Sequence, residues 1–306
     1  MNINQRKKIA AGLSIISNVT LTILKIIVGV ISGSLSVISE AIHSLSDFIA
    51  SIITYFSVIK SSEPADDDHP YGHGKYEDMA GFIEGFLIIL AAIFIIFEAT
   101  KKIISGMPAQ TENLLGITVM AIAVIMNFVV SSYIFKVAKS SDSISLYADG
   151  QHLRTDVYSS FGVLIGLFLI KITGYSVLDP IIAILVAVFI FRTGHFITNK
   201  SWMNLLDHSL PEEDIKQIEQ IINKYSDTTK LKKHGIKARR LGPTKDINLT
   251  LQFKKDTTIC DCHKICDEIE QNIRKIYPNC SISIHAEPMC YRKNCKNKCT
   301  INCGTK

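Results

Sequence analysis

The sequence predicts a multi-pass α-helical membrane protein: a six-helix transmembrane bundle followed by a C-terminal cytoplasmic α+β domain of αββαβ order. Three observations carry this reading. Apolar residues make up 47% of the 306, and they are bunched into long runs before about residue 200. Beyond that point Asp, Glu, Lys, Cys and His take over, and alternating apolar and polar residues mark a half-buried strand. Within the apolar part, two segments each carry a histidine and an aspartate four residues apart, a pattern that bilayer chemistry does not tolerate without a purpose.

Six spans are predicted, over 11–32, 36–59, 79–103, 113–137, 150–172 and 178–198, each near the roughly 20 residues needed to cross the hydrocarbon core. The start Asn2-Ile-Asn-Gln-Arg-Lys-Lys8 reads as a cytoplasmic N-terminus (1–10) before a first span, because the apolar run is too long for a signal-peptide core and no small-residue cleavage site follows. An even number of spans puts both ends on one side. Arg6, Lys7, Lys8, Lys60, Lys75, Lys136, Lys139, Arg192 and Lys200 cluster at the ends that would share that side, and the positive-inside tendency makes it the cytoplasm, with Lys101 and Lys102 dissenting. The expected location is the plasma membrane.

Spans one, three, four and six are mostly apolar, as lipid contact requires. Spans two and five are more polar, carrying Glu40, Asp149, Gln151 and Arg154, so they are expected to line the bundle interior. Asn18, Lys25, Glu84, Glu98 and Asn127 read as interhelical hydrogen bonders or interfacial residues, outside the site. Between spans two and three, the Pro- and Gly-containing stretch from Ser61 to Glu77 reads as a loop with an acidic triplet and two histidines, and the stretch 138–148 as a short polar loop. A membrane domain over 11–200 and a linker over 201–210 lead into a domain at 211–289. Its predicted elements are a helix at 212–226, strands at 231–241 and 246–253, a helix at 261–276 and a strand at 281–286. Ile247, Leu249, Leu251 and Phe253 alternate with Asp246, Asn248, Thr250 and Gln252 on the second strand.

His43 and Asp47 in span two, and His152 and Asp156 in span five, stand at i and i+4, so each helix presents an imidazole and a carboxylate on one face. Two nitrogens and two oxygens match the four-coordinate preference of zinc better than the oxygen-rich shells of calcium or magnesium, though other divalent transition metals accept the same ligands. A lone buried histidine is usually a satisfied core residue; its repetition in a second span with the same partner is what favours a metal site. Asp66, His69 and His73 concentrate three further ligands in the loop, against the plain alternative of a solvated acidic turn. His234, His263, His285 and Glu287 lie at or near element ends in the C-terminal domain, where convergence is open. All eight cysteines lie at or beyond Cys260; in a reducing cytoplasm they are thiols or metal ligands rather than disulfides. Four of them, Cys290, Cys295, Cys299 and Cys303, form a Lys- and Asn-rich tail over 290–306 whose spacing is not that of a zinc knuckle. The net charge of +5 is spread out, without the Lys/Arg tract of a nucleic-acid arm, so no nucleic-acid partner is expected.

With these residues in view, the chain resembles the cation diffusion facilitator family of divalent-metal/proton antiporters, in the form of a prokaryotic member. The resemblance rests on the six spans, the two His/Asp pairs, the Asp66-x-x-His69-x-x-x-His73-Gly-Lys75 loop, and a C-terminal domain similar to metallochaperone folds. It implies that His43, Asp47, His152 and Asp156 form the transport site, of the zinc-preferring type, and that Asp66, His69 and His73 form a loop site. It also implies that His234, His263, His285 and Glu287 contribute cytoplasmic sites that hold a homodimer, and that Lys75 and Asp207 form a charge pair linking the two subunits. Thr250 stands where a histidine ligand is common, so the full binuclear cluster is in question, with Cys260, Cys262 or Cys266 as substitutes. The implied activity is zinc export by alternating access, zinc being both cargo and a structural or regulatory ion, with cadmium, iron or cobalt as further cargoes. Protons compete for the same ligands, because imidazole and carboxylate must be deprotonated to bind metal.

Two other classes were weighed. An intramembrane metallohydrolase would need a general base; there is no His-Glu-x-x-His motif, and Glu40, one turn before His43, is the sole candidate, so no enzyme is expected. A membrane-bound sensor or buffer would explain the many ligands outside the spans, but has no use for the intramembrane pairs.

Overall fold

The computed structural model describes residues 2–32, 35–105, 114–173, 178–227 and 229–289. The side chains of His43 and His234, and the cysteine-rich tail over 290–306, lie outside the described residues. The chain divides into two units: Met1–Asp207 with the turn Leu241–Pro243, and His208–Arg240 with Thr244–Lys306.

The first unit is built of six helices, α1 Ile3–Ser32, α2 Leu35–Ser61, α3 Lys75–Ser105, α4 Leu114–Ser141, α5 Ile144–Thr173 and α6 Leu178–Leu205. Helices of 27 to 31 residues reach about 40–46 Å at 1.5 Å per residue, more than the roughly 30 Å hydrocarbon core. Their outward faces carry Ile16, Phe94, Phe97, Ile125 and Leu185, each well exposed, as a lipid-facing surface demands. By length and composition alone, α1, α3, α4 and α6 each hold a described stretch able to cross a membrane. α3 packs most extensively against α6, α1 against α2, and α4 against α5, while α5 touches all five other helices. At the α3/α6 contact Gly85 and Gly194 let the backbones close: a Cβ on Gly194 would meet Gly85 O at 3.0 Å.

Two expectations are corrected. The polar loop at 138–148 shrinks to the corner Asp142-Ser143 between α4 and α5, with Asp142 at φ 52°. Ser141, Ser143 and Ser145 are polar yet buried, and Ile144, Leu146 and Ala148 are packed in the core, so the segment belongs to the helices. Lys75, Tyr76 and Glu77, read as loop, form the first turn of α3, where Glu77 and Asp78 suit the helix N-terminus.

The second unit follows the order α7 Glu212–Asn223, β1 Thr229–Leu241, β2 Thr244–Phe253, α8 Ile259–Ile276 and β3 Cys280–Pro288. The sheet order is β1-β2-β3. β1 and β2 are joined by Gly242-Pro243, with Gly242 at φ +60°, and β2 pairs β3 in parallel from Lys245↔Cys280 to Phe253↔Pro288. Ile247, Leu249, Leu251 and Phe253 of β2 are buried with Ile218, Ile221 and Ile222 of α7 and Ile269 and Ile273 of α8, so both helices cover one face of the sheet. Thr258 caps α8 by accepting from Asp261 N at 3.1 Å.

Candidate metal centre

Helix periodicity places Asp149, His152 and Asp156 on one face of α5 and Asp47 on the facing stripe of α2. There the side chains converge: Asp47, His152 and Asp156 offer ligand atoms all within 4.8 Å of one another. His152 Nε2 lies 2.9 Å from Asp47 Oδ1. Asp47 is 5% exposed and His152 6%, so two carboxylates and an imidazole are gathered in a dry place where uncompensated charge is costly and a cation is welcome. Among the described residues, His152 Nδ1 has no hydrogen-bond partner. Asn18 of α1 donates to the main-chain oxygen of Asp47 at 3.3 Å, and Lys25 donates to Ser44 at 2.8 Å beside it. Asn18, expected from its polarity to be an interhelical hydrogen bonder outside the site, places its amide against the Asp47 backbone. His43 occupies α2 one turn before Asp47 on the same helical face.

The loop set also assembles. Asp66 accepts from His69 N at 2.6 Å, its Oδ1 lies 3.2 Å from His69 Nδ1, and its Oδ2 lies 3.3 Å from His73 Nε2. The His69 and His73 rings are 4.4 Å apart. His73 is 2% exposed and its Nδ1 lies 3.2 Å from Pro64 O. A bond from Nδ1–H to that carbonyl leaves the Nε2 lone pair aimed at the cluster, which is how an imidazole ligand is oriented. The His69 backbone N–H holds the Asp66 carboxyl below the usual carboxylate range, with both imidazoles adding to the effect.

In the second unit the described candidate ligands His263, His285 and Glu287 are spread over two faces rather than gathered. His285 and Glu287 alternate with the core residues Ile282 and Ile284, which puts them on the open face of the sheet, 3.7 Å apart at Nε2 and Oε1. His263 sits on α8, which covers the other face, and pairs with Asp267 at 3.6 Å. The sheet therefore stands between His263 and His285 within one protomer. Thr250 is the register partner of His285. Cys262 and Cys266 pack against the core, and burial pushes the Cys266 thiol up to about 12, aided by Cys262.

Lys75 Nζ lies 2.8 Å from Asp207 Oδ1 and also donates to Leu205 O at 3.2 Å, so this pair closes within the chain. A second ion pair, which the sequence did not reveal, is buried: Lys7 of α1 meets Glu77 of α3, and Ser61 and Ser143 add their hydroxyls to the same carboxylate. Its members are 70 residues apart and sit in no motif.

A helical bundle with cation ligands buried at its centre defines a membrane transporter of cations. The chain belongs to the cation efflux family: the family's transmembrane domain matches residues 12–206, and its cytoplasmic domain matches residues 210–289. It is 31% identical over 259 residues to an uncharacterized transporter of Synechocystis sp., covering 85% of this chain and 83% of that one. It is 28% identical over 268 residues to the cation-efflux pump FieF of Escherichia coli, covering 88% of each. A solved structure of CzrB in a zinc form aligns over 28% of this chain and 96% of its own, at 28% identity and a TM-score of 0.25. The cation diffusion facilitator resemblance drawn from the residues is borne out, and with it an integral membrane protein whose family moves divalent metals outward.

Proposed function

We propose that this protein exports zinc from the cytoplasm in exchange for protons, by alternating access, as a homodimer in the plasma membrane with both termini cytoplasmic. The observation that carries the reading is the convergence of Asp47, His152 and Asp156 between α2 and α5. Two carboxylates and an imidazole, with His43 one turn from Asp47 to supply a second, are a mixed oxygen–nitrogen set of the size a four-coordinate, borderline-soft ion takes. Cadmium, iron and cobalt suit the same donors and are secondary cargoes.

Exchange follows from the ligand chemistry. The imidazole and carboxylates bind metal only when deprotonated, so a proton arriving from the outside releases the cation and a cation arriving from the inside releases the proton. Imidazole, with an ordinary pKa of about 6.5, changes state within the working range of pH. Asp66, His69 and His73 collect cations at the surface, and the C-terminal unit joins the two protomers.

The test is metal flux into proteoliposomes under an imposed pH gradient, comparing zinc, cadmium, iron and manganese, with the Asp47→Ala/Asp156→Ala variant beside the parent. Gradient-driven zinc uptake that the variant loses is the expected result. Binding without movement in either protein would make the molecule a sensor or buffer instead.

A further inference from the structure

A guanidinium inside a bilayer needs water or an anion, and α5 carries one well within its length. Arg154 stands ten residues after Ile144, the start of α5, which is about 15 Å along the helix from the α4–α5 corner. Its Nε donates to Ser131 Oγ at 2.8 Å and its Nη2 to Ser132 Oγ at 2.7 Å, both on α4. The guanidinium carbon lies 4.2 Å from the centre of the Phe128 ring and 5.7 Å from that of Phe135. Two hydroxyls and two rings fix the plane of the fork, but they bring no negative charge.

The helices around it supply none either. α4 contains no Asp or Glu. The two acids of α5 are engaged elsewhere: Asp149 is buried and accepts from Ser14, and Asp156 belongs to the cation site. Asp156 is two residues from Arg154, on the opposite side of the helix. Among the described residues, Arg154 therefore has only neutral hydrogen-bond and ring partners, and the remaining N–H donors of its fork can take a further acceptor.

The surface beside it continues the pattern. Phe128, Ser132, Lys136 and Lys139 follow one another along one stripe of α4, all exposed, with both lysines toward the corner. On α5, Tyr158 and Phe161 extend the Arg154 stripe the other way, at i+4 and i+7, and both are exposed. The α4/α5 face is thus cationic toward the corner and aromatic toward the middle of the bundle, which is the complement of a lipid with a charged head and apolar chains.

We infer that this face binds an anionic phospholipid, its phosphate held by Arg154 and Lys136 and its acyl chains lying against Phe128, Tyr158 and Phe161. A bidentate fork suits phosphate oxygens, and the serine hydroxyls hold that fork at the protein surface. A zwitterionic lipid brings a cation of its own into a cluster that is already positive, so a headgroup of net negative charge is preferred. The bound lipid braces α4 against α5 on the side away from His152 and Asp156. Nothing in this depends on which cation the protein moves.

The experiment counts retained lipids. Full-length protein, stripped of lipid in detergent, is incubated with phosphatidylglycerol or phosphatidylcholine and weighed by native mass spectrometry. The parent is expected to prefer phosphatidylglycerol by roughly 10-fold. Arg154→Gln and Lys136→Gln/Lys139→Gln should each lose most of that preference, and Arg154→Lys, which keeps the charge without the fork, should keep part of it. An undiminished preference in both charge-removing variants would overturn the site, as would no preference in the parent. Inorganic phosphate or glycerol phosphate that displaces the lipid would overturn the lipid as occupant in favour of a soluble phosphate. Should Arg154→Gln fail to fold, the lysine variant, altered only at exposed positions, decides the question.

Discussion

His152 Nε2 lies 2.9 Å from Asp47 Oδ1, a contact that joins two helices across 105 residues of sequence. This contact ties α2 to α5 at the place where Asp156 also comes within 4.8 Å.

Removing either Asp47 or Asp156 is therefore expected to reduce zinc flux by at least about 100-fold without unfolding the bundle, since each deletes a ligand and a buried charge together. Asn18→Ala, which frees the Asp47 main chain, is expected to cost roughly 10-fold in zinc affinity, in the range typical of groups that orient ligands. Calorimetric titration with zinc checks both.

The loop set should bind metal with a pH dependence set by its histidines. Asp66 is held below the ordinary carboxylate range, so it stays ionised as pH falls, and whatever stability its hydrogen bonds add is lost only as pH drops through that lowered value. His69 and His73 bind a cation only through unprotonated ring nitrogens, so occupancy is expected to fall as the solution is acidified. Titrating zinc into the parent and into His73→Ala at a series of pH values isolates this component; a site that persists at pH 5 would contradict it.

Glu77 neutralises Lys7 in a fully buried position. Glu77→Ala strands the ammonium and is expected to cost about 3–5 kcal/mol, whereas Lys7→Met/Glu77→Leu should recover most of that loss. Thermal unfolding in detergent compares the two, and equal destabilisation by both would show the pair to matter for something other than charge balance.

Cys266, pushed up to about 12 by burial, should react with maleimide at pH 7.5 more than about 100-fold slower than an ordinary exposed thiol. Cys260 is exposed and serves as the internal standard, with labelling read by peptide mass mapping.

Thr250→His places an imidazole beside His285 on neighbouring parallel strands. The variant is expected to gain a zinc affinity that the parent's open sheet face lacks, detected as an added component in calorimetric titration of the full chain.

Much of this was legible in the chain because it is written locally. The αββαβ order follows from the alternation of Ile247, Leu249, Leu251 and Phe253 with polar residues, and all four are in the core. The meeting of Asp47, His152 and Asp156 was foreshadowed by i, i+4 spacing, which needs no knowledge of the fold. What stayed hidden depends on partners far apart. Glu84 reads as one polar interruption among several, yet in the fold it is buried and takes the hydroxyl of Thr54 from α2, and Lys7 reads as a topology-setting surface charge, yet Glu77 covers it. The run from 138 to 148 misled for another reason: its serines are polar but satisfied inside the bundle, so polarity there marked hydrogen bonding rather than a loop.

α5 touches every other helix of the first unit, which makes it the keystone of the arch. Any shift of α5 is therefore felt by all five neighbours at once. Substitutions far from any ligand, wherever they change how a neighbour leans on α5, should thus alter the tempo of the whole cycle while leaving the grip on the cation as it was.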